Sequence, residues 1–540
     1  MTRVSNAGIG RASALLASGT IVSRVLGFVK VIVLARAIGV LSVADAFTVA
    51  NQLPNTVYVI VAGGVLTAVL VPQIVRSALH DDGGTRYINK LVTVALVIIG
   101  AATILATILA PFLTELVAPG FNEQQLALAV SFAYWCIPQM FFYGLYTVLG
   151  EVLNARKSFG PITWVPVLNN VIAIAGIIAF MLMFGTDPIG TRSASSITPL
   201  MIAVLAGSAT LGVIVQAVSL FYFWNRIGLR YRPDFRWRGV GLAASGKMAS
   251  WTFGMILLTT IAGIIETRVA TDASGSDASA AVLATAWLIF MLPHSVITVS
   301  VATAYFTRMS EHASLDKVSL VKEDASSAIR GTSLIIVLAT AVIAVCAYPF
   351  GAIFVSASFE QAQGIGNVII AYILGLIAFC VLFVLQRTFY ALSDTRTPFY
   401  FTLFQVVLVV IGVVGCSFLP KEWIAAGIAL VVTVSGILQT FLAAYLLRRK
   451  IGGIDGRRIV RSLTKYLVAV IIPVILGVLL LVLLGGTQEG GFAVSGIASA
   501  IISMIVIGLV MSASYFGILL LMRTQELRVF LEPVLARLKR

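Results

Sequence analysis

The sequence predicts an all-α polytopic membrane protein with about fourteen transmembrane helices, arranged as two pseudo-symmetric six-helix lobes plus two C-terminal helices. Three observations carry this. Only 11% of the 540 residues are charged and 59% are hydrophobic, whereas soluble domains carry roughly 25% charged residues. The apolar runs are about 20–30 residues long rather than alternating ten-residue segments, so helices and not a closed barrel satisfy the backbone inside lipid. Basic residues, finally, crowd alternate loops.

The apolar windows fall near 12–37, 45–75, 91–117, 125–152, 161–185, 197–224, 246–269, 280–307, 331–356, 365–392, 398–419, 422–447, 463–485 and 493–522. The first is too long and too charged for a cleavable signal peptide and lacks a small-residue cleavage site. One set of loops holds Arg76, Arg86 and Lys90; Arg156 and Lys157; Arg226, Arg230, Arg232, Arg236 and Arg238; Arg308, Lys317, Lys322 and Arg330; and Arg448 to Lys465. The opposite set holds only Arg192 and Lys421, beside acids such as Glu123, Asp187, Asp272 and Glu422. The positive-inside rule therefore puts the basic loops and both termini in the cytoplasm.

This placement also explains the net charge of +15 without nucleic acid. The segment 226–245, with Tyr231, Phe235 and Trp237 among its arginines, reads as a cytoplasmic connector whose aromatics sit at the interface and whose arginines attract anionic lipids. Residues 523–540 read as a short basic amphipathic tail. Cys136, Cys346, Cys380 and Cys416 are scattered through apolar windows with no metal or redox spacing, and the three histidines are unpaired. Neither metal, cofactor nor enzymatic motif is expected.

An internal repeat is expected too. LPNTV at 53–57 returns as LPHSV at 292–296, 239 residues later, and NARKSFGP at 154–161 aligns with LSDTRTP at 392–398, the prolines 237 apart. Two parallel lobes, 1–225 and 246–450, follow from this, with 451–522 as two added helices. Such lobes suit a substrate held between them.

Charges inside spans are costly and mark function. Arg24 lies about 20 Å beyond Arg11 along the first helix, beside a small-residue face of Gly19, Ser23 and Gly27 that permits close helix approach. It reads as a cavity-facing anion ligand or a structural ion pair. Lys30 and Arg36 follow at six-residue steps, which turn a helix by about 240°, so the three share no straight face; Arg36 also suits snorkelling. In the second span Asn51, Asn55 and Tyr58 form one stripe around Pro54, either lining a cavity or bonding neighbouring helices. Asp45 is an N-cap or a gating partner. Glu266 and Arg268 sit near one end of the seventh span, as a gating acid and a candidate ligand, while His294 takes the place of Asn55 in the repeat.

SRVLGF at 23–28, ADAF at 44–47, LPN at 53–55, GGVLTAVLVP at 63–72, APGF at 118–121, VLNARKSFGPITWVPVLNN at 152–170 and FYALSDTRTPFY at 389–400 together resemble the MurJ (MviN) family of the multidrug/oligosaccharidyl-lipid/polysaccharide exporter superfamily, in wording closest to its actinobacterial members. The resemblance runs from residue 10 to about 450. It implies a lipid II flippase that works by alternating access, with a cationic cavity gripping the pyrophosphate. Arg24 matches the family's span-1 arginine, Lys30 stands where many members have a second arginine, and Asp45 matches the family aspartate. Other members carry an arginine at the place of Tyr58 and an Asp-Arg pair at Trp287 and Leu288, and actinobacterial ones often a Glu at Val59, so this cavity is less charged. Two alternatives stand beside this: an exporter of another lipid-linked glycan, and a non-transporting scaffold for cell-wall synthesis and division proteins.

Overall fold

The computed structural model describes residues 6–65, 85–156, 158, 160–235, 246–274, 280–355 and 358–527. Among them the regular structure is helical throughout. Eleven helices are long and apolar enough to cross a membrane, twelve if one bent pair counts as a span, against the fourteen expected from the windows. The first two helices stand outside that set; one carries Arg24, Lys30 and Arg36 and the other the polar run around Asn51.

The chain forms two compact units, Met1–Gly275 and Ser276–Arg540. Unit 1 contains α1 (Asn6–Ile38), α2 (Ser42–Val65), α3 (Thr85–Ile108), α4 (Ala110–Val117), α5 (Glu123–Cys136), α6 (Gln139–Ala155), α7 (Gly160–Phe184), α8 (Pro199–Arg226) and α9 (Gly246–Thr271). The window at 91–117 proves to be two helices, because Pro111 in the first turn of α4 has no N–H to continue the α3 ladder. Pro138 likewise separates α5 from α6, yet the two remain one candidate span, Glu123–Asn154. Asn122 caps α5 by accepting from Gln125 N at 2.9 Å, and Thr198 caps α8.

Within unit 1, α7 lies between α1 and α8, α2 packs on α5, and α9 packs on α2 and α4. Leu91, Val92, Leu149, Val152 and Leu220 form a core where α3, α6 and α8 meet. Trp224 is buried there with Nε1 donating to Leu149 O at 3.1 Å. The compact units thus divide at 275, not within the 226–245 connector, because α9 clusters with the helices preceding it. In that connector Tyr231 Oη lies 3.0 Å from Thr93 Oγ1, Arg226 stacks over Tyr222, and Phe235 is exposed. The connector beyond 235 and the tail beyond 527 lie outside the described residues.

Unit 2 holds α10 (Ala280–Pro293), a π turn (His294–Thr298), α11 (Val299–Ser314), α12 (Val318–Val345), α13 (Ala347–Phe354), α14 (Phe359–Ile373), α15 (Leu376–Ala391), α16 (Arg396–Cys416), α17 (Lys421–Ile451), α18 (Gly456–Ala469), α19 (Ile471–Leu483) and α20 (Ile497–Leu521). Helices α14 and α15 meet at a 41° bend. The added helices are fastened to α12: Tyr515 Oη donates to Leu334 O at 2.9 Å within a core that includes Val337, Tyr466 and Met511. At the end of that seam the buried Arg330 pairs with Glu526, which also accepts from Ser462 Oγ at 3.2 Å.

Candidate functional site

The α1–α7 seam positions the first charged residues. A Cβ at Gly19 would lie 3.0 Å from the Trp164 ring. Asn170 Nδ2 donates to Ser23 O at 2.9 Å and reaches Ser23 Oγ at 3.3 Å. Further on, Asp187 N donates to Arg36 O at 3.2 Å, so the two helices run parallel, and the expected small-residue face is their contact. The seam closes where Gly39 and Gly190, both at positive φ, bring their backbones together: a Cβ on Gly39 would fall 2.4 Å from Gly190 Cα. Asp187 anchors that turn by accepting from Gly190 N, Thr191 N and Thr191 Oγ1 through Oδ1 and from Arg192 N through Oδ2. Burial raises its carboxyl pKa, but these bonds outweigh burial and hold it below the ordinary range.

Arg24 follows Ser23 by about 100° of helix turn and so points away from α7. It is exposed from unit 1, with Ile21, Val22 and Val25 exposed beside it. Lys30 returns to within about 20° of Ser23 and is half-buried. Neither cation has an ion pair or hydrogen bond among the described residues. As α1 is one unbroken helix through Gly27, no bend there brings Arg24, Lys30 and the half-buried Arg36 onto one face.

The α2 stripe divides between two environments. Asn51 Oδ1 accepts from Gln139 Nε2 at 3.4 Å; the same nitrogen donates to Thr210 Oγ1 at 2.9 Å, and Tyr143 Oη donates to Gln139 Oε1 at 2.9 Å. Tyr58 Oη donates to Thr147 Oγ1 at 2.7 Å. Both side chains therefore bond neighbouring helices. Asn55 is instead exposed, with Gln52, in a cavity of about 290 Å³ between α2, α4 and α9 that Thr56, Thr260 and Thr267 also line.

Asp45 is fully buried in the first turn of α2, after the helix start at Ser42, and so does not cap it. Its Oδ2 accepts from Ser274 Oγ at 2.7 Å. Gln125 Nε2 donates to Ser274 Oγ at 2.6 Å and to Ser42 O at 2.9 Å, so α2, α5 and the end of α9 meet in one polar knot. Glu266 is half-buried and Arg268 exposed in the last turns of α9, and among the described residues the two are not paired.

His294 departs from the expected cavity position. It is 3% exposed, packed edge-on against Phe379 and Phe383 with Nδ1 3.6 Å from Cys380 Sγ. The π turn that begins at His294 packs on α15. Arg387 stacks over Phe306 and Phe383, and Asp394 takes Lys450 Nζ at 2.6 Å and accepts from Thr397 N and Oγ1 in the first turn of α16. Sequence reasoning passed over Gln125, Gln139 and Thr210; their signal was a carboxamide or hydroxyl inside or bordering an apolar window.

Helical throughout its described residues, with eleven or twelve candidate spans, an exposed Arg24 midway along α1 and an uncharged polar cavity, the chain has the architecture of a membrane transporter. Its fold is similar to an inward-facing MATE family transporter of the MOP superfamily (TM-score 0.64, 15% identity, 80% of this chain and 96% of that one). It is also similar to the structure described as lipid II flippase MurJ, inward closed conformation (TM-score 0.72, 17% identity, 94% of this chain, 100% of that one). The profile of the family described as "Lipid II flippase MurJ" matches residues 34–523, and the chain belongs to that family. Proteins named probable lipid II flippase MurJ are 27% identical in Rickettsia prowazekii (74% of this chain, 76% of that protein), 27% in Rhizobium meliloti (79% and 78%) and 24% in Haemophilus influenzae (84% and 88%).

Proposed function

We propose that this chain carries lipid II from the cytoplasmic to the outer leaflet of the plasma membrane by alternating access, as a carrier and not a catalyst. The observation that carries the reading is Arg24, in a chain of the MurJ family. It stands midway along α1, about 27 Å from one helix end and about 21 Å from the other, exposed and unpaired among the described residues. A guanidinium at that depth costs several kcal/mol against lipid tails, so the face it shares with Val25 borders water when the carrier is empty. Its fork suits two pyrophosphate oxygens. Lys30 adds positive charge about 9 Å further along.

Asp45, with Ser274 and Gln125, ties α2, α5 and the end of α9 together at the end assigned to the outside, and Arg36, Glu266 and Arg268 supply the remaining gating and binding charges near that end. Both termini then lie in the cytoplasm, where the basic loops meet anionic lipids and other cell-wall synthesis and division proteins. The test is lipid II exposure at the outer leaflet in cells depleted of this chain and supplied with variants. Arg24→Ala is expected to insert normally and to abolish exposure, Arg24→Lys to restore part of it, and Lys30→Arg to be tolerated. Full exposure with Arg24→Ala at normal expression would remove the mechanism.

A further inference from the structure

The cavity between α2, α4 and α9 has a chemistry unlike that of Arg24. None of its lining residues is charged, and its polar groups are Gln52, Asn55, Thr56, Thr259, Thr260 and Thr267. All four threonine hydroxyls spend their single proton on their own helices: Thr56 on Gln52 O at 3.2 Å, Thr259 on Met255 O at 3.0 Å, Thr260 on Ile256 O at 2.8 Å and Thr267 on Gly263 O at 2.8 Å. What they present to a ligand is lone pairs. The carboxamides of Gln52 and Asn55 are exposed and make no hydrogen bond among the described residues, so each offers two N–H donors and a carbonyl.

This set is wrong for a phosphate, which would meet acceptor oxygens with no cation to balance it. It suits a neutral ligand with hydroxyls to donate and an amide or ring oxygen to accept. Val49, Leu53 and Val117 supply apolar wall for the C–H face of a sugar ring. A volume of about 290 Å³ equals the share of roughly ten waters, which is room for one acetamido sugar and not for a whole glycan–peptide headgroup.

We propose that this cavity is a neutral-sugar subsite that takes one N-acetylated hexosamine ring of the lipid-linked substrate. The subsite rests on the flippase reading and assigns recognition of the sugar and of the pyrophosphate to different residues. Gly263 gives the means to close it: a Cβ there meets nothing within 4 Å, and replacing a helical glycine favours the helix. The experiment measures binding of lipid II, and separately of sugar-free undecaprenyl pyrophosphate, to the detergent-purified full chain.

Gly263→Leu is expected to weaken lipid II binding roughly tenfold or more, and Thr260→Val about threefold to tenfold, with undecaprenyl pyrophosphate binding unchanged in both. Equal losses for the two ligands, or undiminished lipid II binding by Gly263→Leu, would overturn the subsite while leaving the flippase reading in place. A wild-type chain that binds neither lipid would remove the flippase reading, and the subsite with it.

Discussion

Asp45 and Ser274, 229 residues apart in sequence, share a 2.7 Å hydrogen bond that ties the first turn of α2 to the residues following α9. Asp45 is fully buried in the first turn of α2. Removing one partner of a buried hydrogen bond costs about 1–3 kcal/mol. Asp45→Ala is therefore expected to speed amide hydrogen exchange across 268–274 and 122–126 by about tenfold or more. Exchange as slow as in the unsubstituted chain would show that the knot contributes nothing to holding these segments together.

The hydroxyl of Tyr58 donates to Thr147 on α6. Tyr58→Phe is expected to cost about 1 kcal/mol of stability, read as a lower unfolding temperature in detergent, while lipid II affinity stays within twofold. A clear loss of affinity at unchanged stability would return Tyr58 to the binding surface.

Arg330 and Glu526 form a pair with side chains only 7% and 15% exposed. Breaking such a pair strands a buried charge at about 3–5 kcal/mol, whereas replacing both partners with apolar groups is often neutral. Arg330→Met should destabilise strongly, and adding Glu526→Leu should recover most of the loss. Additive losses in thermal unfolding would contradict this.

Burial pushes the Asp394 carboxyl pKa up, but Lys450 at 2.6 Å and the N–H and hydroxyl of Thr397 outweigh it and hold it below the ordinary range. A depressed folded-state pKa gives stability that is present above the unfolded value, about 3.9, and lost as pH falls through the folded one. Unfolding temperature should thus drop from near pH 4 downward, and Asp394→Asn should make that part of the curve flatter. An identical acid profile in the variant would count against the assignment.

Orientation is testable with single cysteines. Asp272 is exposed beside the knot, whereas the hydroxyl of neighbouring Ser274 is engaged by Asp45 and Gln125, so position 272 is the sounder reporter. Asp272→Cys should react with an impermeant thiol reagent on intact cells, and Ser314→Cys should not. The opposite pattern would invert the topology.

The helices were legible because lipid leaves long apolar runs few other solutions, and the α1–α7 seam was legible because Gly19, Ser23 and Gly27 recur at helical spacing. Arg24 stood out for the same reason, as a charge where charges are costly. What composition and period do not encode is rotation and distance. About 40° of helix turn separates Asn51, bonded to Gln139, from Asn55 in the cavity. The partner of Asp45 comes from a segment 229 residues away. His294 is buried against Phe379 and Phe383, and no pattern in LPHSV announces it. The clustering of α9 with unit 1 likewise depends on packing that the repeat does not predict.

The parallel seam of α1 and α7 constrains how the backbone that carries Arg24 can move. From Gly19 against Trp164, through Ser23 bonded to Asn170, to Gly39 abutting Gly190, α1 is held along much of its length like a stave in a cask. The backbone of Arg24 therefore shifts together with α7, and what is left to the residue alone is the reach of its own side chain from a helix clamped about 100° away at Ser23.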